Sequence, residues 1–236
     1  DDIEIILGED YLVGLENYEY ILRTPGIKPF LPEIEEATKK GARLTSEIEL
    51  LIELAPCKVI GVTGSDGKTT TTTLISKILK EDGYKVWLGG NIGKSIFANV
   101  EKMHRKDIIV LELSSFQLMT LNKSPNISVI TNISENHLDY HRSFEEYILA
   151  KANIFVNQGK NDLLVLNADD MYTTKYLNLI QDNNINNNIK EFSLKDIVPN
   201  STYLKNNEII YNNGTEEIKI CNKNKVKLVG IHNIAN

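Results

Sequence analysis

The first residues able to do chemistry lie in one run, Val59-Ile60-Gly61-Val62-Thr63-Gly64-Ser65-Asp66-Gly67-Lys68-Thr69-Thr70. Its apolar start reads as a buried strand over residues 59–63. The glycines then read as a tight turn, and a helix is predicted from about residue 69 to 81. Glycines allow several backbone N–H groups to converge on one phosphate, and the helix N-terminus adds partial positive charge. Lys68 can reach the outer phosphates of a nucleoside triphosphate, and the Thr69 hydroxyl can ligate Mg²⁺. Gly64, Ser65, Asp66, Gly67, Lys68, Thr69 and Thr70 are therefore the candidate phosphate-binding residues. Position 62 is Val where the full phosphate-loop pattern has Gly, so the chain carries the shorter Thr-Gly-x-x-Gly-Lys-Thr form. Such a loop specifies a nucleotide but no reaction.

Three further residues could supply the reaction. Glu112 ends the apolar run Ile108-Ile109-Val110-Leu111. A parallel strand is buried on both faces, so a carboxylate at its C-terminal edge needs a partner, and beside a phosphate loop Mg²⁺ fits. His137 follows Val129-Ile130-Thr131, again a strand running out into a polar segment at the same edge. Lys151 stands among small and apolar neighbours in Tyr147-Ile148-Leu149-Ala150-Lys151-Ala152, inside a predicted amphipathic helix.

Strands at 86–88, 108–113, 127–131 and 163–166 alternate with helical stretches, notably 144–156, and Gly83 is a plausible stop for the helix that starts the series. This order predicts an α/β fold, a P-loop domain whose parallel sheet is flanked by helices. Pro56 marks a linker before it. Residues 1–54 form a smaller α/β piece, with short strands at 3–7, 20–22 and 42–44 and helices at 31–40 and 47–54. The Asn-rich run at 183–188 reads as a surface loop. Residues 202–220 read as β-hairpins, with Asn213-Gly214 as a turn.

The 236 residues are 42% hydrophobic and 25% charged, an ordinary globular balance with ample core material. A net charge of −6 argues against a nucleic-acid partner, so any phosphate site must be local. Two unpaired cysteines, Cys57 and Cys221, argue against a disulfide framework or thiolate zinc site and fit a reducing cytoplasm. No apolar run approaches membrane-spanning length, so no membrane partner is expected.

Six motifs in chain order resemble the Mur ligase family. They are Thr63-Gly64-Ser65-Asp66-Gly67-Lys68-Thr69, Gly89-Gly90-Asn91-Ile92-Gly93, Glu112-Leu113-Ser114-Ser115-Phe116-Gln117-Leu118, Asn136-His137-Leu138-Asp139, Ala150-Lys151 and Gly230-Ile231-His232-Asn233-Ile234-Ala235-Asn236. The third is similar to the branch that adds D-glutamate to UDP-N-acetylmuramoyl-L-alanine. Thr24-Pro25-Gly26-Ile27 and Ser46-Glu47-Ile48-Glu49-Leu50 resemble the end of that branch's N-terminal domain.

The resemblance implies an ATP-dependent, ADP-forming ligase of peptidoglycan synthesis, acting through an acyl phosphate. It implies ATP and two Mg²⁺ ions, with Lys68, Glu112, His137 and Lys151 as the catalytic set. Thr69, Glu112, His137 and Lys151 would be the metal ligands, with Lys151 carbamylated by CO₂. Asn233 and Asn236 would face the adenine side of ATP. Asn91, Ser114, Phe116, Gln117 and His137 would line the channel for the UDP-linked substrate, and Thr24 and Gly26 would touch its diphosphate end. Asp66 and Asn136 depart from the family, which usually has Asn and Asp there; the second change bears on how His137 is oriented.

Residues 1–54 are then expected to be the C-terminal half of a Rossmann-like, UDP-substrate-binding N-terminal domain, and 55–236 the central ATP-binding domain. A C-terminal amino-acid-binding domain is absent from the chain, so turnover by these residues alone is not expected. A monomer is expected. Two other readings stay open: another ligase of the superfamily (a sister Mur ligase or a folylpolyglutamate synthetase), and a nucleotide-binding module without catalysis.

Overall fold

The computed structural model describes residues 3–135 and 140–236. The N-terminal piece contains β1 (Tyr20–Leu22), α1 (Pro32–Lys39), β2 (Arg43–Thr45) and α2 (Glu47–Leu54). β1 and β2 form a separate parallel pair, with Ile21 opposite Leu44. Pro at the first turn and Glu33 and Glu35 suit the start of α1; Ser46 caps α2 by accepting from the Glu49 N–H. The strand expected at 3–7 does not form. Ile3 and Leu7 are 82% and 81% exposed, and an isolated strand without a neighbour cannot pair its backbone groups.

The larger body begins with β3 (Lys58–Thr63) and α3 (Lys68–Glu81), followed by β4 (Val86–Gly90), β5 (Ile108–Glu112), α4 (Ser115–Leu118) and β6 (Ile127–Ile130). Then come α5 (Phe144–Ala152), β7 (Leu163–Asn167), α6 (Thr173–Asp182) and β8 (Asn188–Ser193). β9 (Thr202–Lys205), β10 (Glu208–Asn212), β11 (Glu217–Asn222) and the single turn α7 (His232–Ala235) complete the strands and α-helices of the described residues. Among the described residues the sheet has nine strands in the order β11-β10-β9-β8-β7-β6-β3-β5-β4. β4 through β9 and β3 pair in parallel, and only the β9-β10-β11 edge is antiparallel.

Burial follows from this layering. Ile109, Val110 and Leu111 are fully inaccessible because β5 has helices on both faces. Ile48, Leu51 and Ile52 of α2 pack into the same cluster as Val59, Ile109 and Leu111, so the N-terminal piece shares the larger body's core. Residues 183–187 of the Asn-rich run form the expected loop, and β8 begins at Asn188. Its side chains are mostly half-buried, and the strand is held by pairing to β7 and β9 rather than by an apolar pattern.

The order also sets the location of the site. β3 leads through α3 towards β4 on one side, whereas β6 leads through α5 to β7 on the other. The adjacent C-terminal ends of β3 and β6 therefore open a crevice, where open α/β sheets bind ligands.

Candidate functional site: a phosphate loop with two converging lysines

The loop after β3 is held in shape by the segment that leaves β6. Ser65 N donates to the Asn132 carbonyl at 2.8 Å, and Asp66 N to Asn132 Oδ1 at 2.9 Å. The Asp66 carbonyl accepts from Thr131 Oγ1 at 2.6 Å and Asn132 Nδ2 at 2.9 Å. Ser65 Oγ contacts both the Ser134 backbone and the Tyr147 hydroxyl, the latter at 2.9 Å. Gly67, with φ of 79°, is the N-cap of α3, and Thr69 and Thr70 lie in that helix's first turn. Sequence reasoning did not find Thr131, Asn132, Ser134 or Tyr147. Their side chains resemble any others near a strand end until β6 is known to neighbour β3.

Lys68 curls back over the loop, donating to the carbonyls of Gly64 at 3.0 Å and Ser65 at 2.8 Å. Thr69 Oγ1 donates to Glu112 Oε2 at 2.6 Å, and Asn91 Nδ2 donates to Glu112 Oε1 at 2.9 Å. Glu112 is buried, and among the described residues no Lys or Arg forms an ion pair with it. Two neutral donors hold the buried carboxylate, and Lys68 attracts it from beyond ion-pair distance, so it can take a further cation. With the Thr69 hydroxyl it offers two hard oxygen donors, a set that suits Mg²⁺ when phosphates supply further ligands. Among the described residues no cluster of three or more His, Cys, Asp and Glu side chains forms a metal site on its own.

Lys151 lies on α5 and is 1% exposed. Its Nζ donates to the Gly64 carbonyl at 2.8 Å and to Thr63 Oγ1 at 3.3 Å, and sits 4.6 Å from the centre of the Tyr147 ring. Two lysines thus converge on one carbonyl. Burial, and secondarily the charge of Lys68, push the Lys151 pKa down to about 7. Burial also lowers that of Lys68, against the pull of Glu112 and Asp66.

A depressed lysine pKa has a defined sign in stability. Below about pH 7 the folded protein holds Lys151 charged at full desolvation cost. As pH rises from there towards the ordinary lysine value, the unfolded chain binds the extra proton and the cost fades. Lys151→Met is therefore expected to be more stable than the parent protein at pH 6 in CO₂-free buffer. That advantage should shrink towards pH 9, as measured by urea midpoints.

The other predicted residues fall into three places. Asn91 lies against Glu112 through its backbone as well, its N–H donating to the Glu112 carbonyl at 2.8 Å. Ser114 and Gln117 form a reciprocal capping box at the start of α4, which engages the Ser114 hydroxyl and the Gln117 side-chain oxygen. The Phe116 ring packs 4.2 Å from that of Tyr140. Thr24 lines a cavity of about 260 Å³ together with Arg23, Ser46, Gly90, Ser95 and Gln117, which brings the N-terminal piece and α4 to one space. Gly26 borders open space, with nothing within 4 Å of where a Cβ would be.

At the opposite flank Asn236 touches the loop: a Cβ on Gly67 would lie 2.2 Å from Asn236 Oδ1. Asn236 Nδ2 donates to Asn233 Oδ1 at 3.2 Å, and Asn236 lines a cleft of about 460 Å³ with Asp66, Thr131, Asn132 and Asn167. Asn167 was not anticipated; its amide donates to the Thr131 carbonyl at 2.9 Å. His137, with Asn136, Leu138 and Asp139, lies outside the described residues. His141, four residues on, was also missed. It is buried, and its Nε2 lies 2.9 Å from Ser115 Oγ.

Comparison with known proteins shows the family of the chain. The Mur ligase middle domain family matches residues 62–236. A UDP-N-acetylmuramoylalanine–D-glutamate ligase of Clostridium botulinum is 49% identical over 99% of this chain and 49% of its own length. That of Acetivibrio thermocellus is 45% identical over 100% of this chain and 49% of its own. The chain therefore spans about half the length of the curated relatives it matches. Among solved structures, a UDP-N-acetylmuramoyl-L-alanyl-D-glutamate–2,6-diaminopimelate ligase superposes with a TM-score of 0.63 at 18% identity, covering 92% of this chain and 57% of that one. A UDP-N-acetylmuramate:L-alanyl-γ-D-glutamyl-meso-diaminopimelate ligase of Neisseria meningitides does so with 0.60 at 15%, covering 93% and 71%. At such identities the structures speak to the fold.

Proposed function

The chain belongs to the Mur ligase family, and from that premise we propose that it is the ATP-handling part of an amide ligase that adds D-glutamate to UDP-N-acetylmuramoyl-L-alanine in peptidoglycan synthesis. The observation that carries the ATP-dependent chemistry is the convergence of Lys68 and Lys151 on the Gly64 carbonyl, beside the Thr69–Glu112 pair. The choice of D-glutamate rests on the names of the relatives and on Glu112-Leu113-Ser114-Ser115-Phe116-Gln117-Leu118. On this reading residues 1–54 belong to the UDP-substrate domain and 55–236 to the central domain. An ATP-dependent reaction on a nucleotide-linked substrate points to the cytoplasm; among the described residues no helix is long and apolar enough to cross a membrane.

The chemistry couples two transfers. An oxygen of the alanyl carboxylate attacks the γ-phosphorus of ATP, the bond to ADP breaks, and an acyl phosphate forms. The D-glutamate amine then attacks the acyl carbon, loses a proton and expels inorganic phosphate. Both steps need positioning and charge neutralisation more than a protein nucleophile. The backbone N–H groups at the start of α3 and Lys68 would hold the β- and γ-phosphates. Lys68 would leave its resting bonds to the Gly64 and Ser65 carbonyls to do so. Thr69 and Glu112 would hold one Mg²⁺ and His137 and Lys151 a second; the ions supply positive charge between carboxylate and triphosphate.

Burial of Lys151 supports the proposed carbamylation. A pKa near 7 leaves much of its amine neutral at physiological pH. The neutral amine can add to CO₂ and release a proton, turning a cation into an oxygen donor. Asn236 and Asn233 would border the adenine, and Thr24 and Gly26 the diphosphate of the UDP-linked substrate, with Asn91, Ser114, Phe116, Gln117 and His137 between.

Phosphate release by the full-length protein, with ATP and UDP-N-acetylmuramoyl-L-alanine, tests the reading. Release is expected only when D-glutamate is added. Release driven instead by L-alanine, a diaminopimelate, D-alanyl-D-alanine or a folate with glutamate would assign the chain to another branch.

A further inference from the structure

The 24–27 turn has little structure of its own. It follows a three-residue strand and closes through one backbone bond, Ile27 N to the Thr24 carbonyl at 3.1 Å. Yet it forms one wall of the cavity shared with α4, so its position relative to the larger body matters. Two side chains outside every expected site fix that position. Arg23 is 3% exposed. Its guanidinium donates through Nη1 to the Ile27 carbonyl at 2.6 Å, and through Nη2 to the Phe116 carbonyl at 2.7 Å and to Thr120 Oγ1 at 3.3 Å. From the other side the Tyr140 hydroxyl donates to the Pro25 carbonyl at 2.8 Å, with Ile27 at 3.2 Å. The Tyr140 ring rests on Phe116, the residue whose carbonyl Arg23 holds.

We propose that Arg23 and Tyr140 are positioning residues that clamp the 24–27 turn onto α4, setting the distance between the nucleotide-diphosphate end of the acceptor substrate and the phosphate loop. The planar fork of arginine is what allows one side chain to bridge carbonyls of two bodies. A lysine at 23 would keep the charge and lose the bridge. The clamp rests on the reading of the chain as a ligase for a UDP-linked acceptor, because only then does the 24–27 turn face a substrate. It adds a device through which the acceptor and ATP sites stay in register without either residue touching the reacting atoms.

The test compares Arg23→Lys and Tyr140→Phe with the parent in the full-length protein. Arg23→Lys should raise KM for the UDP-linked substrate about tenfold, and Tyr140→Phe about threefold, with KM for ATP within about twofold and thermal midpoints little changed. Amide hydrogen exchange should quicken at Gly26 and Ile27 in both variants and stay constant at Thr71 and Thr72 behind the phosphate loop. An unchanged KM for the UDP-linked substrate, or equal rises for both substrates, would overturn the clamp. Should Arg23→Lys fail to fold, Tyr140→Phe decides alone. A parent protein without D-glutamate-dependent turnover would defeat the ligase reading by itself. The exchange experiment would then judge the clamp, and equal exchange at Gly26 and Ile27 in parent and variants would refute it.

Discussion

Glu112→Gln is expected to lower D-glutamate-dependent turnover by roughly a thousandfold or more while leaving the fold intact. The substitution is nearly isosteric. Its side-chain oxygen can still accept from Thr69 Oγ1 or Asn91 Nδ2, the two donors that hold Glu112 now. What disappears is the negative charge at the end of β5, and with it the anionic oxygen donor of the proposed Mg²⁺ site. Loss of the charge also removes the attraction that offsets burial at Lys68. Steady-state phosphate release together with a circular-dichroism melt separates the two effects. An unfolded variant, or one with near-parent kcat, would show that Glu112 is a structural strand-end carboxylate.

Gly64→Ala is expected to destabilise the protein strongly and to break the phosphate loop. Gly64 has φ of 148°, in the region that favours glycine, and a Cβ there would lie 1.9 Å from Thr131 Oγ1. Thr131 cannot easily give way, since it holds the Asp66 carbonyl at 2.6 Å and its own carbonyl is held by Asn167. The methyl group would drive apart the ends of β3 and β6, and the Gly64 carbonyl that receives both lysines would move with them. A loss of about 3 kcal/mol of stability and of measurable ATP binding follows. Gly159→Ala is the control: its Cβ would meet only Asp162 Oδ2 at 4.0 Å, and stability should stay within about 0.5 kcal/mol. Chemical denaturation and nucleotide titration read both.

How much of this could be read from residues alone depended on whether the signal was local. The phosphate loop was legible because glycine, lysine and threonine must be adjacent to work, and β3 and α3 announce themselves on either side. Glu112 was legible because a carboxylate at the end of an apolar run has few explanations. Lys151 was harder. Its neighbours suggested burial, but its approach to Gly64 exists only because α5 crosses behind the loop. The partners that shape the loop, Thr131, Asn132 and Ser134, became visible only once β6 was seen beside β3.

The errors have the same origin. Residues 3–7 carry a strand-like apolar composition, but no neighbouring edge pairs with them among the described residues. β8 has a polar composition and still pairs on both sides. In both cases strand formation was decided by what lies alongside, which a period-two pattern does not encode. The hairpins at 202–220 were legible for the opposite reason. Asn213-Gly214 makes a turn that needs no partner, and Asn206 and Asn207 take the positive φ of 52° and 65° that a tight hairpin turn requires.

The most direct test of the central claim follows one oxygen atom. The full-length protein would be given UDP-N-acetylmuramoyl-L-alanine labelled with ¹⁸O in its alanyl carboxylate, together with D-glutamate and ATP, and the released phosphate analysed by mass. A ligase that activates its acceptor as an acyl phosphate must pass one labelled oxygen to inorganic phosphate and leave ADP. Unlabelled phosphate, or AMP as the nucleotide product, would contradict the account.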